Sequence, residues 1–193
     1  MRQGRFILPA AAALTPFQQG HASNLCGLYS ILNGLQLALW PEYRLTRGRV
    51  AKLVQHALDV SPKPIDYLMR HGIEDEDWIA WVIELTKYAS HLSGRSIQPQ
   101  FLLRGKRATS SQAGLRTIQR AIRNGQPVMV TIWGAYNHAT VIAGYTHDRL
   151  LLFDSSGFQS IMLRSVGLQH PRSVRRHRIV KQSAATLTSG KSS

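Results

Sequence analysis

Apolar residues recur three or four positions apart through most of the first half of the chain. After Asn24, which has the side chain of a helix N-cap, this spacing predicts a helix over residues 25–40 that ends before Pro41. Three more helices are predicted by the same spacing, and the second of them takes Ser61 as its cap. These helices cover residues 47–58, 61–72 and 74–92.

The second half of the chain is richer in β-branched residues, and its apolar runs are shorter. One more helix is predicted there, over residues 111–124. Strands are predicted over residues 100–103, 128–133, 139–145, 150–153 and 159–163. Since helices come first and strands follow without alternation, the pattern predicts an α+β fold. A helical N-terminal half, with the helix of residues 25–40 at its centre, packs on an antiparallel β-sheet in the C-terminal half.

The length of 193 residues favours one domain, which we place at residues 1–181. Residues 182–193 are small and polar and are predicted to be a disordered tail. The apolar run of residues 6–14 imitates a secretory signal, but Pro9 interrupts it and we expect no cleavage. No apolar run is long enough to span a membrane.

A single cysteine excludes an intrachain disulfide, and no cysteine and histidine residues have the spacing of zinc ligands. We therefore predict no metal and no cofactor. A thiol that has to stay reduced favours a cytoplasmic location, with export as an effector or toxin as the alternative.

The formal net charge of +14 is concentrated in part at the C-terminal end, where no acidic residue follows Asp154. Such a stretch suits nucleic acid, an anionic membrane surface or an acidic protein partner, or it forms a solvated face that aids solubility. No aromatic residues lie between its arginines, which argues against single-stranded nucleic acid. The arginines in question are Arg172, Arg175, Arg176 and Arg178.

The candidate chemistry begins at Cys26, in the first turn of the predicted central helix. The free N–H groups and the dipole of a helix N-terminus favour a thiolate there. His138 begins one predicted strand and Asp154 follows the next, so a hairpin would place the two side by side. Each residue alone has an ordinary structural role, and only their joint arrangement predicts a nucleophile, a base and a group that orients the base. Gln18 or Gln19, with the main-chain N–H of Cys26, could stabilise an oxyanion.

Other titratable groups fit chemistry less well. His21 lies in a loop without an orienting partner, and the remaining histidines belong to helices, turns or the basic stretch. The acidic run of residues 74–77 opens a predicted helix, where it compensates the helix dipole.

Residues 17–33 and 138–157 resemble the papain-like cysteine peptidase superfamily, in which a glutamine, a cysteine, a histidine and an aspartate or asparagine occur in this order. The spacing from His138 to Asp154 is similar to that of double-glycine peptidases and Josephin-type proteases. The resemblance implies that Cys26 is the nucleophile, His138 the general base and acid, and Asp154 the orienting residue. It assigns the oxyanion to Gln19 rather than Gln18, although Gln19 precedes the cysteine by one residue more than is usual.

Together these features predict a thiol hydrolase that cleaves a peptide or isopeptide bond of a protein or peptide substrate through a thioester. The same triad would also serve a glutamine deamidase or a transglutaminase-like effector. A non-catalytic binding module that uses the basic C-terminal stretch is the alternative from another class.

Overall fold

The computed structural model describes residues 4–19, 24–105, 110–170 and 173–191, and it has an α+β architecture. The helices are α1 (Pro9–Ala13), α2 (Cys26–Leu39), α3 (Arg47–Asp59), α4 (Ile65–His71), α5 (Asp75–Ser93) and α6 (Ser111–Arg123). The strands are β1 (Phe6–Ile7), β2 (Arg95–Phe101), β3 (Val128–Gly134), β4 (His138–Tyr145), β5 (Arg149–Phe153), β6 (Ser160–Met162), β7 (Val166–Leu168), β8 (His177–Ile179) and β9 (Ala185–Lys191).

The strands join in one sheet, whose main path runs in the order β2-β9-β3-β4-β5-β6. Neighbours along this path are antiparallel, β1 pairs with β4, and β8 pairs with β3. The pairing of β7 with β8 is parallel. The expected sheet is therefore confirmed, with one parallel pair at its margin.

Helix α2 is the centre of the core. It contacts β3, β4 and β9 of the sheet as well as α3 and α5. Its apolar residues Leu28, Ile31, Leu32 and Leu35 have no exposed surface. β4 is buried from His138 to Gly144, as expected for a strand covered on both faces. The start of α2 is thus fixed against the start of β4.

The predicted cap of α2 is wrong, although the helix itself is confirmed. Leu25 occupies the N-cap position and offers no side-chain hydrogen bond. The side chain of Asn24 instead donates to the main-chain oxygen of Arg70, 2.7 Å away, and its main-chain N–H donates to Met69. Asn24 therefore ties the start of α2 to α4, across 45 residues of sequence. The start of the helix predicted over residues 61–72 is shifted as well, since α4 begins at Ile65 and Pro64, rather than Ser61, occupies its N-cap position.

The prediction of a disordered tail over residues 182–193 is wrong for the described part of that segment. Residues 181–183 form a short 3₁₀ helix, and β9 lies inside the sheet between β2 and β3. Ala185, Thr186 and Leu187 are buried, and the hydroxyl of Thr186 donates to Pro127 O at 2.8 Å. The domain therefore does not end at residue 181. Small residues suit this position because α2 packs closely over β9.

The apolar run near the N-terminus forms β1 and α1 and packs on the sheet. Leu8 is buried and its main-chain N–H donates to Ala143 O of β4 at 2.9 Å. Strand β2 begins five residues earlier than the strand predicted over residues 100–103. Among the described helices, none combines the length and hydropathy needed to cross a membrane.

Candidate active site

Cys26 is the first residue of α2, so its thiol lies at the end of the helix where main-chain N–H groups have no helical acceptor. The side chain is half-buried. It lies beside the ring of His138 and the main-chain N–H groups of Ala139 and Gly27, all of which favour its ionised form. The structure thus places the candidate nucleophile against the candidate base at the point where α2 meets β4.

His138 and Asp154 form a buried pair across the β4–β5 hairpin. The ring Nε2 of His138 lies 2.7 Å from Oδ2 of Asp154, which leaves Nδ1 for the thiol of Cys26. The other carboxylate oxygen, Oδ1, accepts the main-chain N–H groups of Ser156 at 2.8 Å and Phe158 at 3.1 Å. Both oxygens of Asp154 are therefore acceptors, and the carboxylate is held in one orientation.

The turn between β3 and β4 determines the orientation of His138 in the site. Asn137, directly before it, has a positive φ of 44°, a conformation that asparagine tolerates better than most residues. The Oδ1 atom of Asn137 accepts the N–H of Gly134 at 2.9 Å, which closes the turn. Gly134 has a φ of 107°, and a Cβ there would lie 2.3 Å from the main-chain oxygen of Arg176. The local bond of Asn137 and the close approach of Arg176 together set this turn, and it fixes the direction from which His138 enters the site.

The protonation of Cys26 and His138 favours an ion pair. Burial alone raises the pKa of Cys26, but the hydrogen bond and the charge of His138, with the N–H of Ala139, outweigh it and lower the pKa below the ordinary thiol value. Burial alone lowers the pKa of His138, yet its hydrogen bonds to Asp154 and Cys26 raise the pKa to about 9. Both shifts favour a thiolate beside an imidazolium.

Asp154 remains ionised in this site. Burial raises the pKa of Asp154, but the hydrogen bond from His138 and the N–H of Ser156 bring the pKa below its usual range. The Thr140 hydroxyl, opposite Asp154 on β4, also favours the carboxylate, although it falls short of regular hydrogen-bond geometry. The negative charge that keeps His138 protonated is therefore stable near neutral pH.

Aromatic rings cover the outer side of the His138–Asp154 pair. The ring of Phe158 meets His138 edge-on, with centroids 5.4 Å apart, and Tyr136 stacks on Phe158 at 4.6 Å. Phe158 is about one-third exposed. The main-chain N–H of Phe158 donates to Asp154, while its ring shields the His138–Asp154 pair from water. Sequence analysis did not single out Phe158, because an aromatic residue after a turn carries no signal of this role.

Gln19 lies against the turn that follows Asp154. Its main-chain N–H donates to Ser155 O at 3.2 Å, and its side-chain Nε2 donates to Ser156 Oγ at 2.9 Å. The residue is near the triad but does not line the cavity beside Cys26. Its assignment to the oxyanion stays a prediction, and the role requires its carboxamide to turn away from Ser156.

Gln18, the alternative residue, points elsewhere. Its Nε2 donates to the main-chain oxygens of Pro16 at 3.2 Å and Asp154 at 3.4 Å. It does not line the cavity either. Gln18 therefore braces the chain behind Asp154.

A cavity of about 460 Å³ opens beside Cys26. The start of α2, the connection between α4 and α5, and the β3–β4 turn surround it. Several wall residues had no functional role in the sequence analysis: Ile73, Glu74, Asp75, Trp78, Thr131 and Trp133. Packing of α5 on α2 brings the first four to the cysteine, whereas Thr131 and Trp133 lie on β3, beside the start of β4. The packing of α5 on α2 has no local signal in the sequence.

Gly27 allows that packing. A Cβ at this position would lie 2.3 Å from Cγ2 of Ile73 and 3.1 Å from Cδ1 of Trp78. The Nε1 of Trp78 donates to Gly27 O at 3.1 Å and is 3.3 Å from Ser30 Oγ. Gly27 is therefore needed for the close approach of the cavity wall, in addition to leaving room beside the thiol.

The described residues contain no group of three or more histidine, cysteine, aspartate or glutamate side chains arranged to hold a metal ion. In the basic stretch, Arg172 lies outside the described residues. Arg175 and Arg176 are exposed, and Arg178 is partly buried in β8. An acidic partner for this stretch stays a prediction.

Comparisons with known proteins address the fold. No protein-family model matches the chain, and no curated protein matches it significantly. Among solved structures, the chain is similar to a protein from Bacillus anthracis with a provisional assignment as a C39-like peptidase. The two share 16% identity with a TM-score of 0.52, over 98% of this chain and 99% of that one. At this identity the similarity shows the fold alone, and the expected α+β fold is confirmed.

Proposed function

We propose that the protein is a cysteine peptidase that cleaves a peptide or isopeptide bond through a thioester. One observation carries the proposal: the thiol of Cys26, at the N-terminus of α2, contacts a histidine whose Nε2 is held 2.7 Å from Asp154. A nucleophile, a base and an orienting carboxylate in this relation are the requirements for acyl transfer. The fold shared with the Bacillus anthracis protein supports the same class.

In the proposed mechanism the Cys26 thiolate attacks the substrate carbonyl and forms a tetrahedral oxyanion. The main-chain N–H of Cys26, which has no helical acceptor, and the carboxamide of Gln19 donate to this oxyanion. His138 then gives its proton to the leaving amine, and a thioester remains on Cys26. His138 next accepts a proton from water, which attacks the thioester and releases the acid product.

Alkylation of Cys26 by iodoacetamide at graded pH tests the proposal. Wild-type protein should react well below the ordinary thiol pKa of about 8.5. His138→Ala should move the reaction toward that value, because the hydrogen bond and charge of the ring are lost. Labelling that follows an unperturbed thiol in both proteins would contradict the assignment.

The bond that is attacked is a separate question. Incubation with a protein substrate and mass spectrometry of the products distinguishes chain cleavage from release of ammonia at intact chain length. We expect cleavage, and Cys26→Ala should abolish it.

A further inference from the structure

We propose that the cavity beside Cys26 selects a substrate with a lysine or arginine side chain close to the scissile bond. Asp75, Glu74 and the indole of Trp133 bind this side chain. This inference rests on the proposed peptidase function and names its substrate class.

The cavity wall is negative in a protein that is strongly positive. The chain has 24 lysines and arginines against 10 acidic residues. Among the described residues that line the cavity, there is no lysine or arginine, whereas Glu74 and Asp75 both lie on its wall. The cavity beside Cys26 therefore carries acidic side chains in a protein whose net charge is +14.

Asp75 lacks a counter-charge of its own. The ion pairs in the described part of the chain involve neither Asp75 nor Glu74. Burial raises the pKa of Asp75. Although the N-terminus of α5 accounts for acidic residues in this turn, the exposed Glu76 and the nearby Asp77 can serve the dipole as well, and neither lines the cavity. A cation in the cavity would supply the partner that Asp75 lacks.

Aromatic rings complete a wall suited to a cation. Trp133, which is 42% exposed, lines the same cavity, and so does the buried ring of Trp78. Lysine and arginine are attracted to the face of an indole, while their alkyl stems pack on apolar surface. An uncharged side chain would pack on the indoles, but it would remove water from the Asp75 carboxylate without offering a charge or a hydrogen bond in return. The wall therefore discriminates by charge rather than by size.

We assign the basic side chain to the acyl part of the substrate. That part stays bonded to Cys26 in the thioester after the amine has left, so the cavity next to the thiol has to hold it through the second step. A volume of about 460 Å³ is ample for one lysine or arginine side chain.

The test uses peptidyl chloromethyl ketones, which alkylate Cys26 and carry only the acyl part of a substrate. Lysine or norleucine is placed at the last or the second-last residue of the peptide, counted from the chloromethyl ketone. Norleucine has a similar length but carries no charge. At one of these positions the lysine label should alkylate wild-type protein about tenfold faster. Asp75→Asn should bring the ratio of the two rates close to one.

Asp77→Asn is the matched control, because it removes the same charge from the same turn of α5 away from the cavity wall. Its ratio of lysine to norleucine labelling should match the wild-type ratio. A loss of the ratio in both variants would assign the effect to net charge and would overturn the proposal. Circular dichroism confirms that each variant is folded.

Failure of the inference can be told from failure of the proposed function. If both labels alkylate Cys26 at equal rates, and His138→Ala slows both, the peptidase proposal stands and the cationic substrate is wrong. If both labels react no faster than with a free thiol, and His138→Ala changes nothing, the peptidase proposal fails and takes the inference with it.

Discussion

The two sides of the candidate site differ in how their side chains are anchored. On the hairpin side, the hydrogen bonds of His138 and Asp154 with each other and with the following turn all lie within residues 138–158. The loop side consists of the described residues just before α2, namely residues 17–19 and 24. There Gln19 is held by Ser155 and Ser156, more than 130 residues away in sequence.

Asn24 is likewise hydrogen-bonded to a distant residue, Arg70 at the end of α4, 46 residues away. Phe17 differs, since its N–H donates at 2.7 Å to Oδ1 of Asn33, only 16 residues away. Contacts within a hairpin close a shorter loop, and cost less conformational entropy, than contacts between distant segments. The relative position of His138 and Asp154 therefore depends mainly on local sequence, whereas that of Gln19 depends on how distant segments pack.

The largest effect is expected on the hairpin side, from Asp154→Asn. An amide has one acceptor oxygen, so an asparagine whose Oδ1 accepts the two main-chain N–H groups can only donate to Nε2 of His138, which holds the ring in the wrong tautomer and no longer supports its positive charge. Hydrolysis of a blocked amino-acid p-nitrophenyl ester should fall roughly 10²- to 10⁴-fold. The free energy of unfolding should fall by about 1–3 kcal/mol, measured by denaturant titration.

Asp148→Asn is the control for this change. Asp148 lies in the β4–β5 turn and is exposed, so the same change of charge occurs in the same hairpin without a buried partner. Its ester hydrolysis should stay close to the wild-type rate. Equal losses in both variants would show that charge alone, rather than orientation of His138, is responsible.

The same contrast between local and distant contacts explains what the sequence could predict. In the β4–β5 hairpin, β4 is rich in β-branched residues, β5 is a short apolar run and the turn is polar, so the placement of His138 beside Asp154 followed from residues 138–154 alone. Strand β9 has small and polar residues and becomes a strand only because β2 and β3 flank it, so it was mistaken for a disordered tail. The cavity wall at Asp75 depends on how α5 packs on α2, and no local pattern reports that packing.

On the loop side, Gln19→Ala should have the second-largest effect. If the carboxamide of Gln19 donates to the oxyanion, its loss should weaken binding of a peptide aldehyde roughly 10²-fold, since the aldehyde forms an oxyanion on Cys26. The inhibition constant is the measurement. Gln18→Ala is the matched neighbour and should have a much smaller effect. A larger loss with Gln18→Ala would exchange the two assignments.

The charge of His138 predicts a pH dependence of stability. Its pKa is raised from 6.5 to about 9 in the folded protein, so the stability it contributes is fully present below pH 6.5 and is lost as the pH rises through about 9. The difference in melting temperature between wild type and His138→Ala should therefore shrink over this range. A difference that stays constant from pH 6.5 to 9 would contradict the ion pair.

The smallest effect is expected from Ser156→Ala, which joins the two sides. Ser156 Oγ accepts the side-chain N–H of Gln19, and this bond has to break before the carboxamide can reach an oxyanion. Removing one such bond lowers the cost of that movement by about 0.5–1.5 kcal/mol. Peptide aldehyde binding should therefore tighten a few-fold, while the melting temperature falls slightly. Weaker binding would mean that Ser156 holds Gln19 in its working position, and the loop side would then be preorganised like the hairpin side.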